Sequence, residues 1–136
     1  VGVGGALHDT ALDDHLRLVA LNVTSTVHLA KLVIDDMVAR GQGRVLVTAS
    51  VASTMPGPYY ATYAASKAFV LSFAEGIRVE VADNGVSVTA LMPGPTDTDF
   101  FRRASMEGTK ADESSKDDPA EVARDGYAKQ VEPGSA

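Results

Sequence analysis

The chain has 136 residues, a net charge of −6 and a composition that is 45% hydrophobic and 22% charged, which is ordinary for one globular domain. It lacks cysteine, which excludes disulfides and thiolate metal sites, and it has no basic run, which argues against a nucleic-acid or anionic-membrane partner. No apolar run approaches the roughly 18 residues that a membrane span needs, and no signal peptide is visible. We therefore expect a soluble, cytoplasmic protein.

The first part of the chain predicts two helices after a glycine-rich start. Asp9 or Thr10 is placed to cap a helix that runs to about Leu21, and a second helical pattern covers residues 23–39. This second segment is apolar over much of its circumference, so we expect it to be largely buried. A glycine that favours helix termination follows it at Gly41.

Two short valine-rich segments, residues 44–50 and 86–92, predict strands that are buried on both faces. A loop rich in proline and glycine and a long helix over residues 61–82 lie between them. Two strands joined by a crossover helix make a parallel βαβ unit, so the order of elements predicts an α/β fold. Ligands of such sheets bind at the carboxyl ends of the strands, where Ser50 and the segment "MPGPT" fall.

The C-terminal part differs in character. Residues 102–118 are charged and lack apolar periodicity, which predicts a mobile surface segment. A terminal helix is predicted over residues 119–130, with Asp118 at its cap, Pro119 in its first turn and Glu121 three residues after the cap. We expect one domain over residues 1–136.

The segment "TYAASKAFV" sets Tyr63 and Lys67 one turn apart on one helix face, among small residues. A tyrosine titrates at about 10, and a neighbouring ammonium group favours its phenolate, so the pair is suited to general acid/base chemistry on an alcohol or carbonyl. Ser50 is placed to hydrogen-bond the same oxygen. A serine nucleophile fits poorly, because no GxSxG surrounds Ser50 and no histidine is near it. We expect no metal site, since the histidines match no metal motif: His8, His15 and His28.

Five segments, taken in order and with their spacing, resemble the short-chain dehydrogenases/reductases. "VTAS" followed by "YAASK" resembles the active-site signature of that family, a serine at a strand end and then Tyr-x-x-x-Lys. "LNVTST" resembles the family's asparagine-containing helix, "MPGPTDTDF" its Pro-Gly segment, and "VGVGG" the end of its Asn-Asn-Ala-Gly motif. The resemblance covers roughly residues 1–103, and it implies a catalytic core over residues 1–101.

The resemblance implies a role for each matching residue. Tyr63 would be the acid/base on the substrate oxygen, and Lys67 would lower the pKa of Tyr63 and hold the nicotinamide ribose. Ser50 would stabilise the carbonyl or alkoxide, and Asn22 would hold a water in a proton relay to Lys67. The implied catalytic residues are Asn22, Ser50, Tyr63 and Lys67, and the implied cofactor-binding residues are Gly2, Asn22, Tyr63, Lys67, Pro93, Gly94, Thr96 and Thr98.

The same resemblance implies a partial Rossmann-like fold, a doubly wound three-layer α/β/α sandwich with parallel strands and long helices. The implied activity is hydride transfer between NAD or NADP and a small alcohol or carbonyl substrate, the hydride chemistry belonging to the cofactor. In the family, the helices that match residues 23–39 and 61–82 form a dimer interface, so a homo-oligomer is also implied.

The chain departs from the family in its dinucleotide fingerprint. "GVGGAL" begins as Gly2-x-Gly4 but places Leu7 where the sixth-position glycine belongs, and no strand precedes it. The chain therefore resembles the C-terminal part of a Rossmann domain without the cofactor-binding half, and the residue that selects NAD or NADP is not identified. Two strands would leave apolar faces exposed, so we expect the separate chain to be marginally stable or aggregation-prone.

Other interpretations of these residues stay open at this point. Tyr63 and Lys67 also fit an amphipathic tyrosine beside a solvated lysine, Asn22 fits a cap between two helices, and Thr96 and Thr98 fit residues that satisfy a turn. For the function, the alternatives are a catalytically inactive remnant that acts only in subunit assembly and a small module that binds a hydrophobic ligand.

Overall fold

A computed structural model describes residues 1–108 and 113–131 of the chain. In chain order its main elements are α1 (Leu12–Val19), a π-helical turn (Ala20–Thr24), α2 (Ser25–Arg40), β1 (Gly43–Thr48), a 3-10 turn (Val51–Thr54), α3 (Ala61–Val81), β2 (Val86–Leu91), α4 (Phe100–Arg103) and α5 (Pro119–Val131). Two further 3-10 turns lie at Leu7–Asp9 and Ala82–Asn84.

The two helices predicted before the first strand are one continuous helix, Leu12–Arg40, interrupted by the π turn. In that region Thr26 Oγ1 donates to the carbonyl of Asn22 at 2.9 Å, and the Ser25 hydroxyl donates to the carbonyl of Leu21. Such hydrogen bonds from Ser and Thr side chains to the carbonyl four residues earlier perturb the regular backbone hydrogen bonding of a helix. The interpretation of Asn22 as a cap between two helices is therefore wrong. Gly41, with φ 72°, ends the helix as predicted.

The prediction that residues 23–39 are largely buried is wrong for the described residues. In α2 only Ala30 is buried, while Leu29 and Leu32 are 63% and 60% exposed. One side of α2 packs on the sheet through Ile34 and Met37. The opposite apolar side has no neighbour among the described residues. A helix that is apolar all round is normally covered on more than one side, so this side of α2 is left exposed.

The strands β1 and β2 pair in parallel, from Gly43 opposite Val86 to Thr48 opposite Leu91, with α3 as the crossover. Val86 and Val88 of β2 are buried and form a core with Ala74 and Val81. The residues of β1 are half-buried or exposed, since this strand has one described neighbour, so the expectation of burial on both faces fails there. β1 ends at Thr48, and Ser50 therefore lies beyond the strand rather than in it.

The helices cover both faces of the sheet. The core places α2 and α3 on one face, and α5 lies on the other, where a Cβ added to Gly126 would stand 2.8 Å from Cδ2 of Leu91 and 3.5 Å from Cδ2 of Leu46. The helix α5 starts at the predicted residue, with Asp118 Oδ1 accepting a hydrogen bond from Ala120 N at 3.0 Å. The chain thus forms the three layers of an α/β/α arrangement.

The segment 102–118 is not surface throughout. Ala104 and Met106 are buried in a cluster with Phe101. Near the other end, the backbone of Asp117 bridges to the residues after β2, donating to the Pro95 carbonyl at 2.9 Å. Residues 109–112 lie outside the described part of the chain. The mobility of this segment and the domain bounds stay predictions.

The continuous helix Leu12–Arg40, with 29 residues, is long and apolar enough to cross a membrane by length and composition alone. This corrects the expectation that no segment of the chain meets that requirement. Core helices of soluble proteins and signal sequences pass the same test, so the finding is weak evidence for a membrane span. The cytoplasmic location stays a prediction.

Candidate active site

A cleft of about 440 Å³ lies at the carboxyl ends of β1 and β2, as the βαβ arrangement predicts. Its floor comes from the turns that follow the two strands, and its sides come from the first turns of α3 and from α4. The residues that line it include Thr48, Ser50, Tyr60, Tyr63, Lys67, Pro93, Gly94, Thr96, Thr98, Phe100, Phe101 and Met106.

Ser50 is buried and is fixed by a reciprocal cap at the 3-10 turn. Its Oγ accepts a hydrogen bond from Ala52 N at 3.1 Å, and Ser53 Oγ accepts one from Ser50 N at 3.2 Å. The Ser53 hydroxyl in turn donates to the backbone carbonyl of Lys67 at 2.9 Å. The loop that carries Ser50 is thus joined directly to the helix that carries Tyr63 and Lys67.

Tyr63 stands in the first turn of α3 and lines the cleft together with Ser50. Burial raises the pKa of the Tyr63 phenol above its usual value of about 10, the Ser50 hydrogen bond opposes this rise, and Tyr60 adds to it. The ring packs against Phe100, with centroids 5.1 Å apart and planes inclined by 47°. The net result is a phenol that stays protonated at neutral pH.

Lys67 lies one turn after Tyr63, and its Nζ donates to the carbonyl of Thr48 at 2.8 Å. Burial lowers the pKa of the Lys67 ammonium. Lys67 is not among the causes that shift the pKa of Tyr63, whose net direction is upward. The net direction is upward because burial of the phenol outweighs the Ser50 hydrogen bond, and the lowering of this pKa by Lys67 stays a prediction.

Asn22 lies in the π turn, a feature that often marks functional sites in helices. Its Nδ2 donates to the carbonyl of Val1 at 3.0 Å and to Ser66 Oγ at 3.1 Å. Ser66 Oγ donates to the backbone carbonyl of Tyr63 at 2.7 Å. Asn22 does not line the cleft, and it reaches Tyr63 through Ser66.

Gly2 is buried but also lies outside the lining of the cleft. A Cβ added at this position would stand 2.9 Å from Phe100 Cζ and from Ala104 Cβ. The structure therefore places Gly2 behind the Phe100 ring, where it permits close packing, rather than against the predicted cofactor site.

The four predicted residues after β2 all line the cleft: Pro93, Gly94, Thr96 and Thr98. The Pro93 carbonyl accepts a hydrogen bond from Val51 N at 3.2 Å, which holds the two floor turns together. Thr96 Oγ1 donates to the Gly94 carbonyl at 3.0 Å, and Thr98 Oγ1 accepts from Phe100 N at 3.3 Å. Both threonines therefore satisfy local turns as well as facing the cleft.

One side of the cleft consists of residues that the sequence motifs do not include. We call the apolar wall the set of Tyr60, Phe100, Phe101 and Met106, which pack together and line the cleft beyond Tyr63. Large apolar side chains in the loop segments "GPYY" and "DFF" were the available signal, because loops that face only water seldom need them.

The site brings together a hydroxyl pair, an amine and an apolar wall. Ser50 and Tyr63 are placed to hydrogen-bond one oxygen, and the protonated phenol can give that oxygen a proton. Lys67 and the turn after β2 form the polar floor beside them. Such a site can polarise a carbonyl group and exchange a proton with it.

Comparison with known proteins identifies the family to which the chain is similar. The family model described as short chain dehydrogenase matches residues 1–108. The 17-beta-hydroxysteroid dehydrogenase type 3 of Mus musculus is 37% identical over 102 residues, which are 74% of this chain and 33% of that protein. The 3-oxoacyl-(acyl-carrier-protein) reductase FabG of Vibrio cholerae is 38% identical over 86 residues, which are 63% of this chain and 35% of that protein.

Among solved structures, the short-chain dehydrogenase from Sphingobium yanoikuyae in complex with NADPH matches with a TM-score of 0.85 and 26% identity. The match covers 96% of this chain and 51% of that chain. The chain thus spans about a third of the length of the curated relatives and about half of this structure. The similarities confirm the family resemblance and the partial Rossmann-like α/β fold.

Proposed function

Because the chain belongs to the short-chain dehydrogenase family, we propose that it supplies the catalytic part of an oxidoreductase that moves a hydride between a nicotinamide dinucleotide and an alcohol or ketone. The observation that carries this proposal is the convergence of Ser50, Tyr63 and Lys67 on one cleft. The specific reaction of the whole protein is part of the proposal, since the chain spans only part of its relatives.

The floor of the cleft fits the nicotinamide end of NAD or NADP. Hydroxyl and carbonyl groups of the turn after β2 suit a carboxamide, and Lys67 Nζ suits ribose hydroxyls. A Cβ added at Gly94 would meet only Asp117 Oδ2, at 3.6 Å, so a flat ring can approach the backbone there. The residues proposed to hold the cofactor are Tyr63, Lys67, Pro93, Gly94, Thr96 and Thr98. When bound, the nicotinamide supplies or accepts the hydride.

The chain's own residues handle the proton. In the reducing direction, the Tyr63 hydroxyl donates its proton to the substrate carbonyl oxygen while Ser50 donates a second hydrogen bond to the same oxygen. The raised pKa keeps Tyr63 in the protonated form that this step needs. Asn22 is proposed to act as a positioning residue, because its amide holds Ser66, which holds the backbone of Tyr63.

A cofactor-binding experiment tests this proposal on the full natural protein that carries these residues. NADH and NADPH are each titrated against the wild type, and the conversion of a neutral ketone to its alcohol is followed by mass spectrometry. Lys67→Ala should weaken binding of the preferred cofactor by about tenfold or more, the loss of a charged hydrogen bond being about 1.5–3 kcal/mol. Lys31→Ala, which removes an exposed lysine of α2, is the control. Wild-type protein that binds neither cofactor would overturn the proposal.

A second candidate is an inactive remnant that acts in subunit assembly, and the exposed apolar side of α2 favours it. Leu29 and Leu32 on this helix and Val79 on α3 stand in solvent in the separate chain. We propose that a second copy covers these helices, whichever of the two functions holds. Light scattering with size-exclusion chromatography tests this, because Leu29→Glu with Leu32→Glu should give a monomer if the helices form the contact. An unchanged mass would contradict it.

A further inference from the structure

We propose that the apolar wall restricts the substrate to neutral compounds that carry a ring beside the carbonyl, and that Phe100 sets this preference. The inference rests on the proposed function and concerns the side of the same cleft that the apolar wall forms. It is carried by the packing of the wall and by the distribution of charge around the cleft.

The wall is built as one packed unit. The Phe100 ring lies between Tyr63, at 5.1 Å, and Phe101, at 5.4 Å with an edge-to-face angle of 84°. Phe101 and Met106 are only 6% and 3% exposed, so they support Phe100 from the interior. An aromatic surface in contact with the proton donor favours a flat apolar group next to the reacting carbonyl. Two aromatic rings in contact stabilise each other by more free energy than the burial of their surface area alone provides.

Phe100 has little freedom to move away. Gly2 leaves no space behind the ring, since a Cβ there would stand 2.9 Å from Phe100 Cζ. The backbone N–H of Phe100 donates to Thr98 Oγ1 at 3.3 Å, which fixes the start of α4. The ring is therefore a fixed boundary of the cleft rather than a mobile side chain that adapts to any substrate.

The environment of the cleft disfavours an acidic substrate. Among residues 1–108 and 113–131, Lys67 is the only charged side chain that lines the cleft, and its Nζ is bonded to the Thr48 carbonyl. Arg102 and Arg103 of α4 are exposed and paired with Asp99. Lys116 Nζ lies 4.9 Å from the Phe101 ring centroid, outside the lining. A carboxylate placed against the wall would lose water, and the cations Lys67 and Lys116 are already engaged with the Thr48 carbonyl and the Phe101 ring, so this loss is offset only in part.

The test compares two ketones with one scaffold, acetophenone and para-acetylbenzoate, on the full natural protein with its preferred cofactor. The wild type should reduce acetophenone with a kcat/KM at least about tenfold higher, because the carboxylate has to be desolvated. Phe100→Ala should lower kcat/KM for acetophenone by about tenfold, which is the loss expected for a large apolar contact. Phe100→Leu keeps most of the side-chain volume, so its kcat/KM for acetophenone should fall less. Tyr127→Ala, on the exposed face of α5, is the surface control. Equal or better reduction of para-acetylbenzoate would overturn the inference.

A binding measurement separates failure of this inference from failure of the proposed function. Saturation-transfer NMR detects acetophenone bound to the protein with or without turnover. Binding of acetophenone to the wild type that weakens in Phe100→Ala and Phe100→Leu, in a protein that binds neither NADH nor NADPH, would support the wall and reject the oxidoreductase proposal. Turnover of other ketones without any binding of acetophenone would reject the wall and support the oxidoreductase proposal. Circular dichroism of each variant shows whether it is folded. If Phe100→Ala does not fold, the comparison is made with Phe100→Leu alone.

Discussion

The Ser53 hydroxyl donates a hydrogen bond to the backbone carbonyl of Lys67 at 2.9 Å and accepts one from Ser50 N at 3.2 Å. One small side chain thus sets the distance between the loop of Ser50 and the helix of the proposed acid. Because a catalytic arrangement depends on positions within about 1 Å, this contact should affect the rate although Ser53 touches no reacting atom.

We predict that Ser53→Ala lowers kcat by about 10-fold to 10²-fold, the cost expected when a catalytic group is displaced by about 1 Å. KM should change little, since the apolar wall is left intact. Ser53→Thr keeps the hydroxyl and should restore most of the rate. Ser72→Ala, at an exposed position of α3, is the control for a serine lost from the surface. A Ser53→Ala enzyme with the wild-type kcat would show that the contact does not position the site.

The raised pKa of Tyr63 predicts the pH dependence of the reaction. In the reducing direction the protonated phenol is the active form, so the rate should be flat through neutral pH and should fall only above a pKa that exceeds the usual value of about 10. In the oxidising direction the phenolate is active, and the rate should rise towards the same pKa. Ser50→Ala removes the hydrogen bond that lowers this pKa, so the alkaline limb of the residual rate should move to higher pH. A limb that moves to lower pH in Ser50→Ala would contradict the account.

His15 joins α1 to the start of α3. Its Nε2 lies 2.6 Å from Thr10 Oγ1, and its Nδ1 lies 2.8 Å from Thr62 Oγ1, next to Tyr63 in the chain. We predict that His15→Ala lowers the free energy of unfolding by about 1–3 kcal/mol, because both hydroxyls lose a partner in a partly buried place. Urea unfolding measures the change, with His28→Ala on the exposed surface of α2 as the control. Equal midpoints for the two variants would rule out a stabilising role for the bridge.

Two glycines give a matched test of the backbone geometry. Gly85 has φ 72°, and a Cβ there would stand 2.2 Å from the carbonyl oxygen of Gly41, so Gly85→Ala should destabilise the fold. In the middle of α3, a Cβ at Gly76 would meet nothing within 4 Å. Gly76→Ala should therefore stabilise the helix by about 0.5–1 kcal/mol. Thermal unfolding of both variants checks the opposite signs, and changes of the same sign would contradict the described turn at Gly85.

The spacing of residues in the sequence was sufficient to place the acid/base pair and several element ends. The helical period fixes Tyr63 and Lys67 one turn apart, whatever surrounds them. Local chemistry also fixes the start of α5 at Asp118 and Pro119 and the end of α2 at Gly41. These features depend on neighbours in the chain, which a sequence displays directly.

The features that could not be predicted depend on contacts between distant parts of the chain. The π turn around Asn22 shifts the helical register, so that one helix has the pattern of two. Phe100 belongs to the wall only because Gly2 and Tyr63 meet it in space. The direction of the Tyr63 pKa follows from burial, which no spacing of Tyr63 and Lys67 reveals.

In the proposed mechanism the Tyr63 hydroxyl exchanges the proton with the substrate, and the variant Tyr63→Phe removes that hydroxyl alone. Cofactor affinity by titration and ketone reduction in a single turnover are measured on the same sample of the full natural protein, beside Tyr127→Phe on the exposed face of α5. We predict that Tyr63→Phe binds the cofactor with nearly wild-type affinity and loses about 10²–10⁴-fold in rate, the usual contribution of a positioned acid. Tyr127→Phe should match the wild type in both. A Tyr63→Phe enzyme that reduces the ketone at a near-normal rate would contradict the account.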